Sequence, residues 1–434
     1  MDLKQILFII SLAITFGIFI YSMNRIIRFL RLTRAGFPVK NIGERLKVTW
    51  NVAIAQTKIF RNPVAGFFHA MVFWGFIIIT IGSIEMVVDG LAGEERLFAA
   101  AGPVYDVVIG LGDAFAAFIV FAILVFLARR LFLDIQRFKG IEMKKKSKLD
   151  ANIALTFILL LMISLIGMNA AYVALHESSY EGVFPVSAWI AGFMNNMDQN
   201  TLHSIHEAGW WSHILLIFVF ANVLPYSKHF HVFMSVPNVF LSRLEPLGYV
   251  RNMKEITEEV KMMMDPDAAF SEPEAEEEPE EQATFGAKDV DELIWKNYFD
   301  SLACTECGRC TAVCPANITG KLLSPRKIMV DTRARMKEKG PGLLKDKDYD
   351  DGKSLLRDYI TEEELWACTM CNACAQECPI NINQPAIILE LRRYLVMEEA
   401  AAPSELNTMF TNIENNGAPW QYPQEDRMKW AEGL

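Results

Sequence analysis

The sequence predicts an all-α protein of two unlike parts, a five-helix transmembrane bundle followed by a smaller helical domain. Three observations lead there. Five stretches are apolar and about long enough to cross a ~30 Å hydrocarbon core, which takes roughly 20 residues. All seven histidines lie between His69 and His231, while all eight cysteines lie between Cys304 and Cys378. Between the two parts, from Asp265 to Gln282, nine carboxylates occur without a single base, and they nearly account for the net charge of −10. The 52% hydrophobic content of these 434 residues is therefore an average over an apolar bundle and an ordinary soluble domain. A chain with this charge is a poor nucleic-acid binder. The expected division is a membrane domain over 1–245, a juxtamembrane segment and acidic linker over 246–286, a cysteine domain over 287–400 and a docking tail over 401–434.

The expected spans are 6–23, 64–88, 104–128, 152–175 and 210–226. Buried helices of a large soluble protein are the alternative, but five nearly charge-free stretches separated by charged loops favour membrane lipid as the surroundings. The first is a retained helix rather than a signal peptide, because only Lys4 precedes it and Arg25, Arg28, Arg31 and Arg34 follow it. Bases crowd the loop after span one and the loop after span three, which runs from Arg129 to Lys148. The other two loops hold mostly acids, with Arg96 their only base. The basic loops face the cytoplasm. Five spans then put everything after residue 230 in the cytoplasm, so the cysteine domain faces the cytoplasmic side of the inner membrane.

A histidine inside a span is costly and usually functional. His69 falls near the cytoplasmic end of span two, and His229 and His231 near that end of span five. On one continuous helix, His213 and His231 are eighteen residues or five full turns apart and share a face, with His213 about 27 Å further out. His69 and His231, at matching depth on two helices, suit bis-histidine ligation of a haem b. His213 would serve a second haem near the outer face, with His176, His203 or His206 as its partner. Each histidine taken alone is equally well an interfacial hydrogen-bonding residue.

The segment "WWSHILLIFVFANVLPYSKHFHVFMSVPNVFLSR" resembles the γ subunit of respiratory nitrate reductase, a five-helix dihaem cytochrome b, and "GFFHAMVFWGF" around His69 resembles that family's second span. The likeness covers residues 1–245. It implies a quinone site beside the outer haem. In the family, the second span supplies one ligand to each haem; here only His69 is present, so the likeness leaves the outer haem incomplete. Asp113, in the outer half of span three, is a candidate for proton handling near such a quinone, the alternative being a paired structural carboxylate. The Glu/Pro/Ala-rich stretch 265–285 has little to bury and is expected to be an extended spacer that lets the second domain reach or move.

The strongest signal is a repeated motif, Cys304-x2-Cys307-x2-Cys310-x3-Cys314-Pro and Cys368-x2-Cys371-x2-Cys374-x3-Cys378-Pro. This is the bacterial ferredoxin run for [4Fe–4S] clusters, in which the fourth cysteine ligates the other cluster. The assignment is Cys304, Cys307, Cys310 and Cys378 to one cluster and Cys368, Cys371, Cys374 and Cys314 to the second. All-cysteine zinc sites also use short spacings, but two complete runs ending in proline favour iron–sulfur. Disulfides would be unusual in a cytoplasmic domain.

Fifty-three residues separate Cys314 from Cys368, too many for a compact ferredoxin with short strands. Ser324-Pro325 is a helix start, Gly340 a stop, Thr361 to Glu364 a capping box, and another helix begins near Asn383 and runs towards Ala400. Two motifs separated by helices resemble the α-helical ferredoxins of heterodisulfide reductase small subunits, succinate dehydrogenase and anaerobic glycerol-3-phosphate dehydrogenase. The closing "TNIENNGAPWQYPQEDRMKWAEGL" resembles the segment that leads into a Cys-Cys-Gly domain in fused heterodisulfide-reductase-like proteins, which implies a separate subunit of that kind docking near Trp420–Trp430. A tail folded back on the ferredoxin is the alternative.

The chain thus reads as a membrane-bound electron-transfer subunit, without a soluble-substrate site of its own, linking a cytoplasmic redox partner to quinone. The first direction is reduction of quinone with electrons from a dehydrogenase or electron-transfer flavoprotein. The second is oxidation of quinol towards a disulfide-like or sulfur-metabolism acceptor. A cluster-based redox sensor lacks an output module here, and an ion pump has little room in five spans.

Overall fold

The computed structural model describes residues 2–176, 179–265, 284–421 and 423–432. Among them the chain is helical, with two isolated bridges and no strand. The first part runs α1 (Leu3–Leu30), α2 (Ile42–Thr49), α3 (Pro63–Ala92), α4 (Pro103–Phe132), α5 (Lys145–His176), α6 (Ser187–Ala191), α7 (Gln199–Val223) and α8 (His231–Phe240). Five helices are long and apolar enough to cross a membrane: α1, α3, α4, α5 and the run Gln199–Tyr226 that opens with α7. Local chemistry sets their ends. The Asp2 carboxylate accepts from the Gln5 N–H at the start of α1, and Asp198 accepts from the Thr201 N–H at the start of α7. Proline at N1 opens α3 and α4, and Gly93 closes α3 with a φ of +78°.

The fifth long helix departs from expectation at both ends. It begins at Gln199 rather than 210, because Asp198 caps a polar first three turns that hydropathy does not register. His213 therefore sits mid-helix rather than near an end. At the other end the α-helix stops at Val223, Pro225 leads into two 3₁₀ turns, and α8 starts anew at His231. The continuous wheel that put His213 and His231 on one face does not exist.

The second part comprises α9 (Lys254–Met264), α10 (Trp295–Ala303), α11 (Arg309–Ala312), α12 (Pro315–Ile318), α13 (Pro325–Leu343), α14 (Glu362–Trp366), α15 (Ala373–Glu377), α16 (Gln384–Met397) and α17 (Ser404–Asn416). Ser324 caps α13 with Pro325 at N1, and the Thr361/Glu364 capping box opens α14. Gly340 does not end α13, which continues to Leu343. It serves a close approach instead: a Cβ there would lie 2.9 Å from the Phe29 ring of α1.

That contact is part of a wide seam. Ile26, Phe29, Leu224, Phe230 and Met234 of the first part share one apolar core with Leu293, Leu302 and Met336 of the second. Arg34 after α1 exchanges backbone hydrogen bonds with Leu293 and Trp295. Arg326 on α13 reaches back to Glu142 before α5 at 2.7 Å, both side chains 1% exposed. The cysteine domain is seated on one end of the bundle, so the expectation of a domain free to move on a spacer does not hold. The acidic residues 266–283 themselves lie outside the described residues.

Candidate metal centres

The two cysteine loops have the same backbone. Each has left-handed residues two and four positions after its first cysteine, Glu306 (φ +58°) and Gly308 (φ +75°) in one, Met370 (φ +54°) and Asn372 (φ +59°) in the other. These turns curl the chain so that its N–H groups line a concavity, the arrangement that holds anionic clusters. The Met370 N–H points at Cys368 Sγ at 3.4 Å, and the N–H groups of Ile380 and Ile382 donate to Cys378. The third cysteine of each run sits on a short helix, α11 or α15, and Cys314-Pro315 starts α12. Of these four left-handed residues, only Gly308 is visible as such in the sequence.

The cysteines gather as the motif implies. Cys310 and Cys378 lie within electrostatic reach of Cys304 and Cys307, and Cys374 within reach of Cys368, Cys371 and Cys314. A pocket between α12 and α15 is lined by Cys314, Cys368, Cys371 and Cys374. Burial pushes the Cys304 thiol up to about 11 and the Cys374 and Cys378 thiols to about 12. Thiolates in such surroundings need a strongly cationic partner, and bound iron supplies it. The donor set and its loops therefore fit two cubanes.

The first group faces the bundle. Lys58, in the loop before α3, donates to the Cys378 carbonyl at 3.3 Å and to Asn381 Oδ1 at 2.6 Å. Arg309, beside Cys310, donates to the carbonyls of Lys58 (2.8 Å) and Ile59 (3.0 Å) and lies within electrostatic reach of His69. Asn238 of α8 donates to the Ile380 carbonyl at 2.9 Å. The second group faces away, with Cys371 exposed.

His69, in the second turn of α3, and His231, opening α8, come within electrostatic reach of each other just under this seam. His69 Nδ1 is buried without a hydrogen-bond partner. Burial, then His229 and His69, hold the His231 imidazole down at about 3, so it is neutral and able to ligate. Its Nδ1 points at the Lys228 carbonyl at 3.4 Å, which leaves Nε2 free. An orphaned ring nitrogen and a backbone-oriented imidazole are the donor set a bis-histidine haem requires.

His213 has the same pattern. Its Nδ1 meets the Leu161 carbonyl at 2.9 Å and its Nε2 is buried with no partner. No histidine faces it. His176 lies fifteen residues beyond Leu161 on α5, about 22 Å along the helix. His203 and His206 share α7 with His213, and the remaining three are at the seam. The expected pairing of His213 with His176 is not brought together.

Asp113 is not poised for proton transfer. Its carboxylate accepts from the N–H groups of Val186 (2.7 Å) and Ser187 (3.0 Å) and from the Ser187 hydroxyl, which pins the turn before α6 against α4. Asp113→Ala should strand these buried donors and destabilise the bundle by about 1–3 kcal/mol in thermal melts. The pH dependence of any quinone-linked activity should stay unchanged. The polar groups nearest the far end are others. An open cavity of about 670 Å³, one turn out from His213, is lined by Glu85, Asp89, Arg96, Asn169, His206 and Trp210 among apolar side chains. In the sequence, Glu85, Asp89 and Arg96 register only as loop charges. The i,i+4 spacing of Glu85 and Asp89 is the signal that they share one face of α3.

Residues 296–379 match the 4Fe-4S dicluster domain. Over 99% of its length the chain is 28% identical to the probable iron-sulfur-binding oxidoreductase FadF of Bacillus subtilis, covering 61% of that protein. It is also 28% identical, over 90% of its length and 54% of the relative's, to the EtfAB:quinone oxidoreductase of Syntrophomonas wolfei. A small part of a CoB-CoM heterodisulfide reductase, from Methanosarcina acetivorans, is 34% identical over 26% of this chain and 56% of its own length. The likeness to heterodisulfide reductase small subunits is thus met by a relative, and the dicluster assignment by a family match. The chain spans little more than half the length of the first two relatives. No solved structure matches it.

Proposed function

We propose that the chain is a membrane-embedded electron-transfer subunit of an iron–sulfur oxidoreductase. It would join a cytoplasmic redox partner to quinone through two [4Fe–4S] clusters and one haem b. When bound, these groups take up and release single electrons; the protein ligates, buries and positions them. The observation that carries the reading is the direct bonding of the Cys378 loop and Arg309 to the segment that leads into the His69 helix. Cys304, Cys307, Cys310 and Cys378 thereby stand between the exposed Cys371 group and the His69/His231 pair. A partner would meet the Cys371 group, and the exposed Trp420 and Trp430 of the tail offer it aromatic contacts. The far cavity, with a few convergent polar groups in an apolar wall, suits a quinone head group. The likeness to nitrate reductase γ subunits supports haem and quinone, and the lone His213 favours one haem over two.

The relative named as an EtfAB:quinone oxidoreductase supports electron-transfer flavoprotein as donor and quinone as acceptor. The relative from a heterodisulfide reductase supports the opposite direction, from quinol to a disulfide-like acceptor. Stepwise anaerobic reduction of the purified chain, first by a reduced flavoprotein and then by a quinol analogue, separates them by which reductant fills the clusters. His69→Ala should abolish b-type haem absorbance with both cluster signals retained. An unchanged absorption spectrum would refute the ligand assignment.

A further inference from the structure

We propose that the junction of α1, α5 and α13 binds the phosphate of an anionic phospholipid in the cytoplasmic leaflet, held by Arg25, Lys146 and Lys337. The inference rests on the membrane placement given under Proposed function, and its readout is independent of the redox chemistry. The three cations come from separate elements. Arg25 is near the seam end of α1, Lys146 is in the first turn of α5, and Lys337 is on α13 one turn before Gly340. The packing of Gly340 on Phe29 brings α13 against the end of α1. Arg25, Lys146 and Arg333 all lie within electrostatic reach of Lys337.

Such a gathering of like charge is unfavourable unless an anion joins it. The carboxylate nearest to it, Glu306, is already engaged by Arg333 and by Lys228 at 3.5 Å. Among the described residues, no carboxylate comes within ion-pair distance of Arg25, Lys146 or Lys337. Arg25 Nε is buried and has no hydrogen-bond partner, although its guanidinium lies 4.5 Å over the Tyr226 ring. A planar guanidinium held in this way, with a free N–H, is suited to a phosphate.

The surroundings favour a lipid over a free anion. Ile18 (50% exposed) and Tyr21 (71%) on α1 and Tyr226 (48%) form an apolar outer wall leading away from the cations along the bundle. Tyrosines at this level are where membrane interfaces place them, and basic pockets between helices on the cytoplasmic side take lipid head groups. An acyl chain can follow the wall while the phosphate meets the three cations. The lipid would then touch both parts of the chain at once and add to the seam.

Native mass spectrometry of the full chain, purified from vesicles of phosphatidylcholine with a minor fraction of phosphatidylglycerol, tests this. One phosphatidylglycerol should be retained in preference to phosphatidylcholine. The double variant Arg25→Gln/Lys146→Gln, which keeps the seam contacts of Lys337 and Arg333, should retain it roughly 25-fold less. This follows from the about fivefold that each cation near a lipid surface contributes. Millimolar inorganic phosphate should not displace the lipid. Equal retention by the variant overturns the proposal. So does displacement by phosphate, which would make this a free-anion site. A variant that shifts the haem spectrum while its lipid retention is unchanged would assign the cations to the haem instead.

Discussion

Cys314→Ala is expected to remove the cluster of the second motif and spare that of the first. Cys314 is a member of the first motif in sequence, yet it lines the pocket of Cys368, Cys371 and Cys374. Cys378, of the second motif, is buried beside Cys304, Cys307 and Cys310. Chemical iron should fall from about eight atoms per chain to about four, as it must if one of two cubanes is lost. Single-variant iron counts cannot say which cluster went, so the decisive comparison is between two double variants. Cys314→Ala with Cys371→Ala strikes one cluster twice and should retain the same four irons and the same EPR signal as Cys314→Ala alone. Cys314→Ala with Cys307→Ala strikes both clusters and should leave almost no iron. Ligation within each motif gives the reverse pattern. The functional effect is equally large, because loss of the Cys371-side cluster takes away the exposed end of the array. Transfer from a soluble partner should drop by orders of magnitude while His69 and His231 stay as they are.

The linear signals of the sequence are enough for the parts of the fold that local chemistry determines. Hydropathy locates all five long apolar helices, because a lipid-length apolar run is a property of consecutive residues. The cysteine runs give both metal groups and their crossing, because the spacing is the ligand geometry. Ser324-Pro325 and the Thr361/Glu364 box mark helix starts correctly, since caps are made within four residues. Contacts between distant segments leave no such trace. Gly340 looks like a helix stop, and its real partner is Phe29 more than three hundred residues earlier. The basic loops read as a topology signal, and several of their residues also hold the seam: Arg34 pairs with Leu293 and Trp295, and Lys58 with the Cys378 loop. The helix break after Val223 hides behind a periodicity that runs through it by coincidence. Asp113 draws attention as a lone intramembrane acid. Its three donors come from the turn before α6, a segment that hydropathy does not resolve.

Breaking the Arg326–Glu142 pair should unseat the cysteine domain, and Arg326→Ala is expected to be the most damaging single change at the seam. Arg326 Nε and the Ser324 hydroxyl both donate to Glu142 Oε1 at 2.7 Å, and the remaining Arg326 nitrogens donate to the carbonyls of Arg137 and Lys139. One guanidinium therefore satisfies a carboxylate and two backbone acceptors in the loop before α5. Its removal leaves Glu142 buried and uncompensated, a loss of about 3–5 kcal/mol. Glu142→Gln is expected to cost less, since the amide oxygen still accepts from both donors while the charge of Arg326 loses its match. The sign of the double replacement separates a seam that needs the charges from one that needs only filling. Arg326→Met with Glu142→Leu removes both charges and keeps most of the volume. By the behaviour of buried pairs elsewhere it should recover much of the loss, and only the two carbonyls would stay unpaired. Loss of visible cluster absorbance during heating reports the seam directly, because Cys310 and Cys378 are packed against it through Arg309 and Lys58. Early bleaching in Arg326→Ala with partial recovery in the double variant is the expected order. Identical bleaching in all forms would mean that the domain holds its clusters without the bundle, and that the shared apolar core around Phe29 and Met336, rather than the ion pair, fixes its seat.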